Sequence, residues 1–129
     1  MKASVVVERL GEASAPQHGL SPESVAEVLR DLDGARDVTM TVSPEGTSER
    51  LMVAIDGSRA FLGLERSDGL LQFVVGDDKQ EATACLFTIG GQQSEIEGRY
   101  LPEIGTAAVV VKEWLQTGES STLGHWERQ

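Results

Sequence analysis

The stretch LFTIGGQQSEIEGRYLPEIGTAAVVVKEWLQTGESSTLGHW, residues 86–126, decides the fold of this chain. It opens on an apolar strand, breaks at two glycines, and continues through an acidic loop into a strongly apolar segment with helical spacing. That spacing predicts a helix over about residues 106–116, which Gly118 ends because glycine tolerates the left-handed conformation of a helix C-terminus. The helix should be deeply buried on one side. The predicted buried side consists of Ala107, Ala108, Val111, Trp114 and Leu115.

The end of the chain predicts one more strand. Residues 123–127 are short enough for a last edge strand, and they contain Trp126. A large aromatic side chain there can close the core or anchor an interface. We favour the core, because a tryptophan in a terminal strand holds the chain end in place.

The N-terminal part predicts a strand, a loop and a helix. Residues 3–9 are β-branched and indicate a strand, whereas the Gly, Ser and Pro content of residues 10–19 indicates a loop. Ser21 can cap a helix that begins at Pro22 and ends before residues 33–34. The apolar stripe of this helix comprises Val25, Val28, Leu29 and Leu32.

From residue 37 onward the apolar period becomes two, and turn dipeptides recur, as is typical of an antiparallel meander. Asp56-Gly57 is the strongest hairpin signal. Only the two helices are available to cover a face of this sheet. We therefore predict a single α+β domain over residues 1–129, with an antiparallel meander sheet of about five to seven strands and two helices packed on it. The predicted meander strands are residues 38–42, 51–55, 60–64, 70–75 and 82–89.

Charge and cysteine content narrow the partners and the compartment. The chain has 21 acidic and 11 basic residues, a formal net charge of -10, which disfavours nucleic acids and acidic membranes as partners and favours either solubility or a basic partner. A lone Cys85 cannot form an internal disulfide, and its position two residues before Phe87 predicts a small core hydrophobe. With no signal-like or membrane-length apolar run, we expect a cytoplasmic protein.

The sequence shows no pattern that indicates catalysis, a metal or a cofactor. His18 and His125 lack partners at metal-ligand spacing, and Cys85 lacks an activating base. The glycine pair at residues 90–91 lacks the context of a nucleotide-binding loop and is better explained as a bulge or a strand end. We therefore expect no catalytic residues, no metal and no cofactor.

Acidic residues are the candidate contact residues. Glu95, Glu97 and Glu103 surround the loop before the second helix, and Asp77 and Asp78 lie at a predicted hairpin tip. Carboxylates at loop tips stay ionised in water and suit a charged recognition surface better than acid–base catalysis. An ordinary solvated surface is the other interpretation of these five residues.

The C-terminal segment resembles the Imm1 family of bacterial immunity proteins, which are antidotes encoded beside polymorphic toxins. The matching features, in order, are a glycine break at residues 90–91, Pro102, an apolar helix, a closing pair at residues 117–118, and Trp126 followed by Glu127. Residues 56–75 fit the middle of the family more loosely.

The resemblance implies a non-enzymatic inhibitor that binds one toxin domain, with a nucleic-acid deaminase or a nuclease as the expected target. A monomer is expected, with a homodimer as the alternative. Two other classes of function stay open on the residues alone. One is a small ligand-binding or enzymatic α+β domain, and the other is a structural or regulatory domain that dimerises through an edge strand.

Overall fold

A computed structural model describes residues 1–9, 11–75, 84–118 and 123–129. Two α-helices, α1 (Pro22–Asp31) and α2 (Ile104–Thr117), and a 3₁₀ helix at Gly98–Tyr100 accompany the strands. The strands are β1 (Ala3–Arg9), β2 (Glu12–Ala13), β3 (Gln17–Leu20), β4 (Val38–Pro44), β5 (Arg50–Asp56), β6 (Arg59–Arg66), β7 (Gly69–Val75), β8 (Ala84–Ile89), β9 (Gln92–Glu97) and β10 (Gly124–Arg128).

The main sheet of the described residues has eight antiparallel strands in the order β10-β7-β6-β5-β4-β1-β2, with β3 also paired to β1. The run β4 to β7 is the predicted meander, and β10 is the predicted last strand, paired with β7. The α+β prediction is therefore confirmed. The strand number exceeds the predicted five to seven because β2 and all but the last residue of β3 lie in residues 10–19, predicted as a loop. Their residues are almost all exposed, so no apolar alternation marks them.

Both helices lie on one face of the main sheet, as predicted. The Ser21 hydroxyl caps α1 by accepting a hydrogen bond of 3.1 Å from the Ser24 amide. Helix α2 ends at Gly118, whose φ of 74° is the left-handed conformation expected of it. All five residues of the predicted stripe of α2 are buried, and Trp126 packs edge-on against Phe73 with ring centroids 5.4 Å apart. The core is therefore formed largely by side chains that the periodicity identifies.

Strand β8 does not continue the meander, which corrects the prediction for residues 82–89. Among the described residues, β8 pairs only with β9, and these two strands form a separate sheet. Strand β9 occupies the segment for which the sequence predicts an acidic loop. Gly90 and Gly91 form the two-residue turn between them, with φ values of 58° and 81° that suit glycine. The glycine pair therefore follows a strand end, as one of the two predicted alternatives has it, and forms a hairpin turn, not a bulge. Strand β9 has one apolar residue, Ile96, which is why its sequence does not indicate a strand.

The β8–β9 hairpin covers part of the sheet face opposite the helices. Two aspartates of the main sheet region hold it: the Thr88 amide donates to Asp56 Oδ2 at 3.0 Å, and the Gly91 amide donates to Asp37 Oδ1 at 3.0 Å. Both sheet faces are therefore packed at this end. The resulting second apolar cluster consists of Ala54, Phe61, Val74, Phe87, Tyr100 and Leu101.

Cys85 is exposed, so its prediction as a core residue is wrong. Residues 84–86 are all exposed, and burial on β8 begins only at Phe87. Alternation along the strand places Cys85 on the side of Phe87, but this side is covered at Phe87 and exposed at Cys85. In the described part of the chain, no helix is long and apolar enough to cross a membrane.

Candidate functional site

A groove of about 380 Å³ lies on the sheet face opposite the helices, beside the β8–β9 hairpin. Successive side chains of a strand point to opposite faces, and Leu62 and Leu64 of β6 are fully buried in the core that the helices cover. Phe61, Gly63 and Glu65 therefore face the groove. Met52 of β5 also lines the groove, next to Gly63 in the strand register. We call this surface the open groove; its other lining residues include Thr39, Thr41, Arg50, Leu70 and Gln72.

The open groove is apolar along its floor and charged at one end. Leu70 is 54% exposed, so this part of the apolar floor is accessible to a partner. The charged end is a cross-strand pair, in which Arg50 Nη2 lies 2.9 Å from Glu65 Oε2. Both side chains are more than half exposed, so this pair contributes little to stability and either group is accessible to a partner.

A second depression of about 300 Å³ adjoins the first. It is lined by Glu95, Glu97 and Ile96 of β9 and by Tyr100, and it shares Phe61 and Gln72 with the open groove. We call it the acidic pocket. Because the two depressions share residues, they form one continuous surface that changes from apolar to acidic along its length.

Arg99 and Tyr100 hold the wall of the acidic pocket in place. Arg99 Nε donates to Glu97 Oε1 at 3.2 Å, and Arg99 Nη1 donates to Glu127 Oε2 at 3.1 Å. The Arg99 guanidinium carbon also lies 4.6 Å from the centroid of the Tyr100 ring. Burial opposes the charge of Arg99, but Tyr100 and the carboxylates of Glu127 and Glu97 outweigh it and raise the Arg99 pKa. Arg99 therefore stays positively charged, and its hydrogen bond orients the Glu97 carboxylate.

Of the five predicted contact residues, the structure brings two together. Glu95 and Glu97 lie two residues apart on β9 and line the same pocket. Glu103 is exposed but lies at the start of α2, where its backbone bridges to Arg59, outside both depressions. Asp77 and Asp78 lie outside the described residues. The role of all five residues as contact residues stays a prediction.

Sequence reasoning missed the open groove. One signal was present: Leu70 and Leu71 are consecutive apolar residues in a strand, so one of them has to face away from the core. Gly63, between two leucines of a central strand, was a second signal. Neither signal names a function, but together they mark the face on which an apolar surface is exposed.

The described ranges contain no group of three or more His, Cys, Asp or Glu side chains placed to hold a metal ion. His18 Nδ1 is hydrogen-bonded to Ser4 Oγ over a distance of 2.9 Å, and His125 is exposed on β10. Near the two depressions, Glu65 is paired with Arg50, and Glu97 and Glu127 are paired with Arg99. The chemistry this surface offers is recognition by apolar contact and by negative charge.

A scan against protein-family models finds no match for the chain, and a search of curated proteins finds none of significant similarity. The resemblance to the Imm1 family therefore stays a prediction from the residues.

Proposed function

We propose that this chain is an immunity protein that binds a cognate bacterial toxin domain in the cytoplasm and neutralises it. The expected target is a nucleic-acid deaminase or a nuclease, and inhibition results from covering its active site or its substrate groove. The single observation that supports this proposal is the continuous surface formed by the open groove and the acidic pocket. An exposed apolar floor beside carboxylates is what a basic protein partner needs.

The two parts of this surface have different roles in the proposed complex. Protein interfaces gain most of their affinity from a few buried apolar or aromatic anchors, and the charged rim gives orientation and association rate. Met52, Phe61 and Leu70 supply an apolar centre, and Glu95 supplies an exposed charge at its border. We expect a total interface of about 1,200–2,000 Å² centred on the open groove.

Electrostatic attraction supports a nucleic-acid-processing target. An enzyme that binds a phosphate backbone carries positive charge around its substrate groove. A partner with a formal net charge of -10 is steered toward such a groove and competes with the substrate for it. Association should therefore be fast at low ionic strength and slower at high ionic strength.

The direct experiment uses the toxin domain encoded by the neighbouring gene. Calorimetric titration of this domain with the full chain at 50 mM salt should give a one-to-one complex, and addition of the chain should abolish the toxin's activity on its nucleic-acid substrate. Repetition at 300 mM salt should weaken binding. Absence of a complex at micromolar concentrations and low salt would refute the proposal.

A further inference from the structure

We infer that Gly63 keeps a recess open in the groove for one apolar side chain of a protein partner. The nature of the partner rests on the proposed function, whereas the recess itself follows from the geometry of β6.

The backbone does not require a glycine at this position. Gly63 lies within β6 and is paired on both sides, with Met52 of β5 and Gln72 of β7. It is not among the glycines with positive φ, so any L-residue except proline can adopt its conformation. A glycine inside a strand costs conformational entropy and leaves a gap in the side-chain layer, so it weakens the sheet.

Packing does not require a glycine either. A Cβ atom placed on Gly63 would lie 3.8 Å from Met52 Cε and 3.9 Å from Phe61 Cε2, which are ordinary van der Waals distances. A side chain would therefore fit and would fill the space between these two neighbours. Neither the backbone conformation nor close packing accounts for a glycine at this position. The effect of the glycine is to keep the recess open.

The walls of the recess select an apolar occupant. Met52 and Phe61 border it, and the exposed Leu70 lies on the neighbouring strand. Methionine adapts its shape to different apolar side chains, so a leucine, methionine or phenylalanine of the partner would fit. The residues that flank this partner side chain should be Lys or Arg, because the exposed Glu95 lies in the adjoining acidic pocket, whereas Glu65 is balanced by Arg50.

A second copy of this chain is the less suitable occupant. Each copy carries a net charge of -10 and presents carboxylates beside the same groove. Groove-to-groove contact would place these carboxylates against one another, which is unfavourable. Charge complementarity thus favours a basic protein.

The test compares Gly63→Ala and Gly63→Val with Gly105→Ala as the matched control. Gly105 is exposed on α2 and lies outside the groove. Among the described residues, an added Cβ would meet no atom within 4 Å beyond its chain neighbours and its own helix backbone. Thermal unfolding should show that the Ala variants melt within about 4 °C of the wild type or above it, because each fits its site. Affinity for the neighbouring toxin domain should fall by about tenfold or more for Gly63→Val and stay unchanged for Gly105→Ala.

Equal affinity of wild type and Gly63→Val for the toxin domain would overturn the recess while leaving the proposed function intact. If the wild type does not bind that domain, the proposed function fails, and a second arm decides the recess. Random-peptide display on the wild type, depleted on Gly63→Val, should yield peptides with an apolar residue flanked by Lys or Arg. Failure to obtain any such peptide would overturn it. A wild-type dimer in sedimentation that Gly63→Val dissociates would also overturn it, by assigning the recess to a second copy.

Discussion

The Tyr100 hydroxyl donates a hydrogen bond of 2.9 Å to Glu127 Oε1, and this contact joins the 3₁₀ helix before α2 to the last strand. Arg99 reinforces the junction, since its Nη1 donates to the other carboxylate oxygen of Glu127 and its Nη2 donates to the Tyr100 hydroxyl at 2.9 Å. Tyr100 is buried and lines the acidic pocket. The network thus couples the shape of the pocket to the pairing of β10 with the sheet.

Tyr100→Phe should lower the free energy of unfolding by about 1 kcal/mol, because it removes the donor to a carboxylate while keeping the ring. Urea denaturation at pH 7 measures this change. Leu70→Thr, on the exposed side of β7, is the control and should have a smaller effect, since its side chain has no polar partner to lose. An unchanged midpoint for Tyr100→Phe would show that the network does not stabilise the chain end.

The same tyrosine predicts a pH dependence at alkaline pH. Burial, followed by the hydrogen bond to Glu127, raises the pKa of Tyr100 above its ordinary value. The unfolded chain therefore loses this proton first. The stabilisation is complete below the unfolded pKa of about 10 and is lost as the pH rises through the higher folded pKa. Melting temperatures between pH 8 and pH 11 should fall more for the wild type than for Tyr100→Phe; parallel curves would contradict this.

A carboxylate between the two helices predicts the opposite behaviour in acid. Glu23 of α1 lies 2.8 Å from Lys112 Nζ of α2 and 3.4 Å from Arg30 Nη1. Hydrogen bonding to Lys112 and then to Arg30 lowers the Glu23 pKa. The stabilisation is therefore present above the unfolded pKa of about 4.3 and is lost as the pH falls through the lower folded pKa.

Lys112→Met keeps the aliphatic stem and removes the charge, so it should reduce the loss of melting temperature between pH 5 and pH 3. Glu23 is about half exposed, and 0.5 M salt should therefore shrink the difference between variant and wild type. Identical acid profiles for the two proteins would show that this pair does not contribute to the stability of the helix layer.

The anchoring aspartates predict where the structure opens first. Asp56 accepts the Thr88 amide and also pairs with Arg36, so Asp56→Ala removes one of the two side-chain anchors of the β8–β9 hairpin. Hydrogen exchange at pH 7 should become faster in β8 and β9 and stay unchanged in β5 and β6 beyond the mutated residue. Arg36→Ala is the control, because it removes the ion pair but keeps the acceptor. Equal acceleration in both variants would assign the effect to the ion pair.

The sequence predicts those elements whose burial is one-sided and long. The apolar stripe of α1, the stripe of α2 and the alternation in β4 and β5 each indicate which side faces the core, and the structure confirms them. Prediction from the sequence fails where burial is incomplete. Strand β9 has only Ile96 as an apolar residue, and β2 and β3 are exposed, so pairing there depends on backbone hydrogen bonds that leave no pattern in the residues.

Only the acidic part of the candidate site could be predicted from the sequence, for a related reason. Glu95 and Glu97 could be predicted as contact residues because charge shows directly in the sequence, and the structure places them in one pocket. The open groove depends on Gly63 and Leu70, whose significance appears only once the uncovered face of the sheet is known. Cys85 illustrates the same limit, since alternation gives the side of a strand but not whether a second layer covers it.

Charge reversal at four of the five candidate acidic residues should affect toxin binding to different extents. Glu95→Lys should weaken binding of the neighbouring toxin domain by roughly three- to tenfold at 50 mM salt, mainly through slower association, because Glu95 is an exposed charge in the acidic pocket. Glu103→Lys should have a smaller effect, since Glu103 lies outside both depressions.

Surface plasmon resonance at 50 mM and 300 mM salt separates the contributions. The difference between Glu95→Lys and wild type should shrink at the higher salt, as expected for an exposed charge, whereas the loss caused by Gly63→Val should persist because apolar contact is not screened. Asp77→Lys and Asp78→Lys, measured alongside, test two of the three remaining candidates. If Glu103→Lys weakened binding as strongly as Glu95→Lys, the partner would have to extend beyond the groove to the start of α2. If neither Glu95→Lys nor Glu103→Lys changed the association rate, the acidic pocket would not be part of the interface.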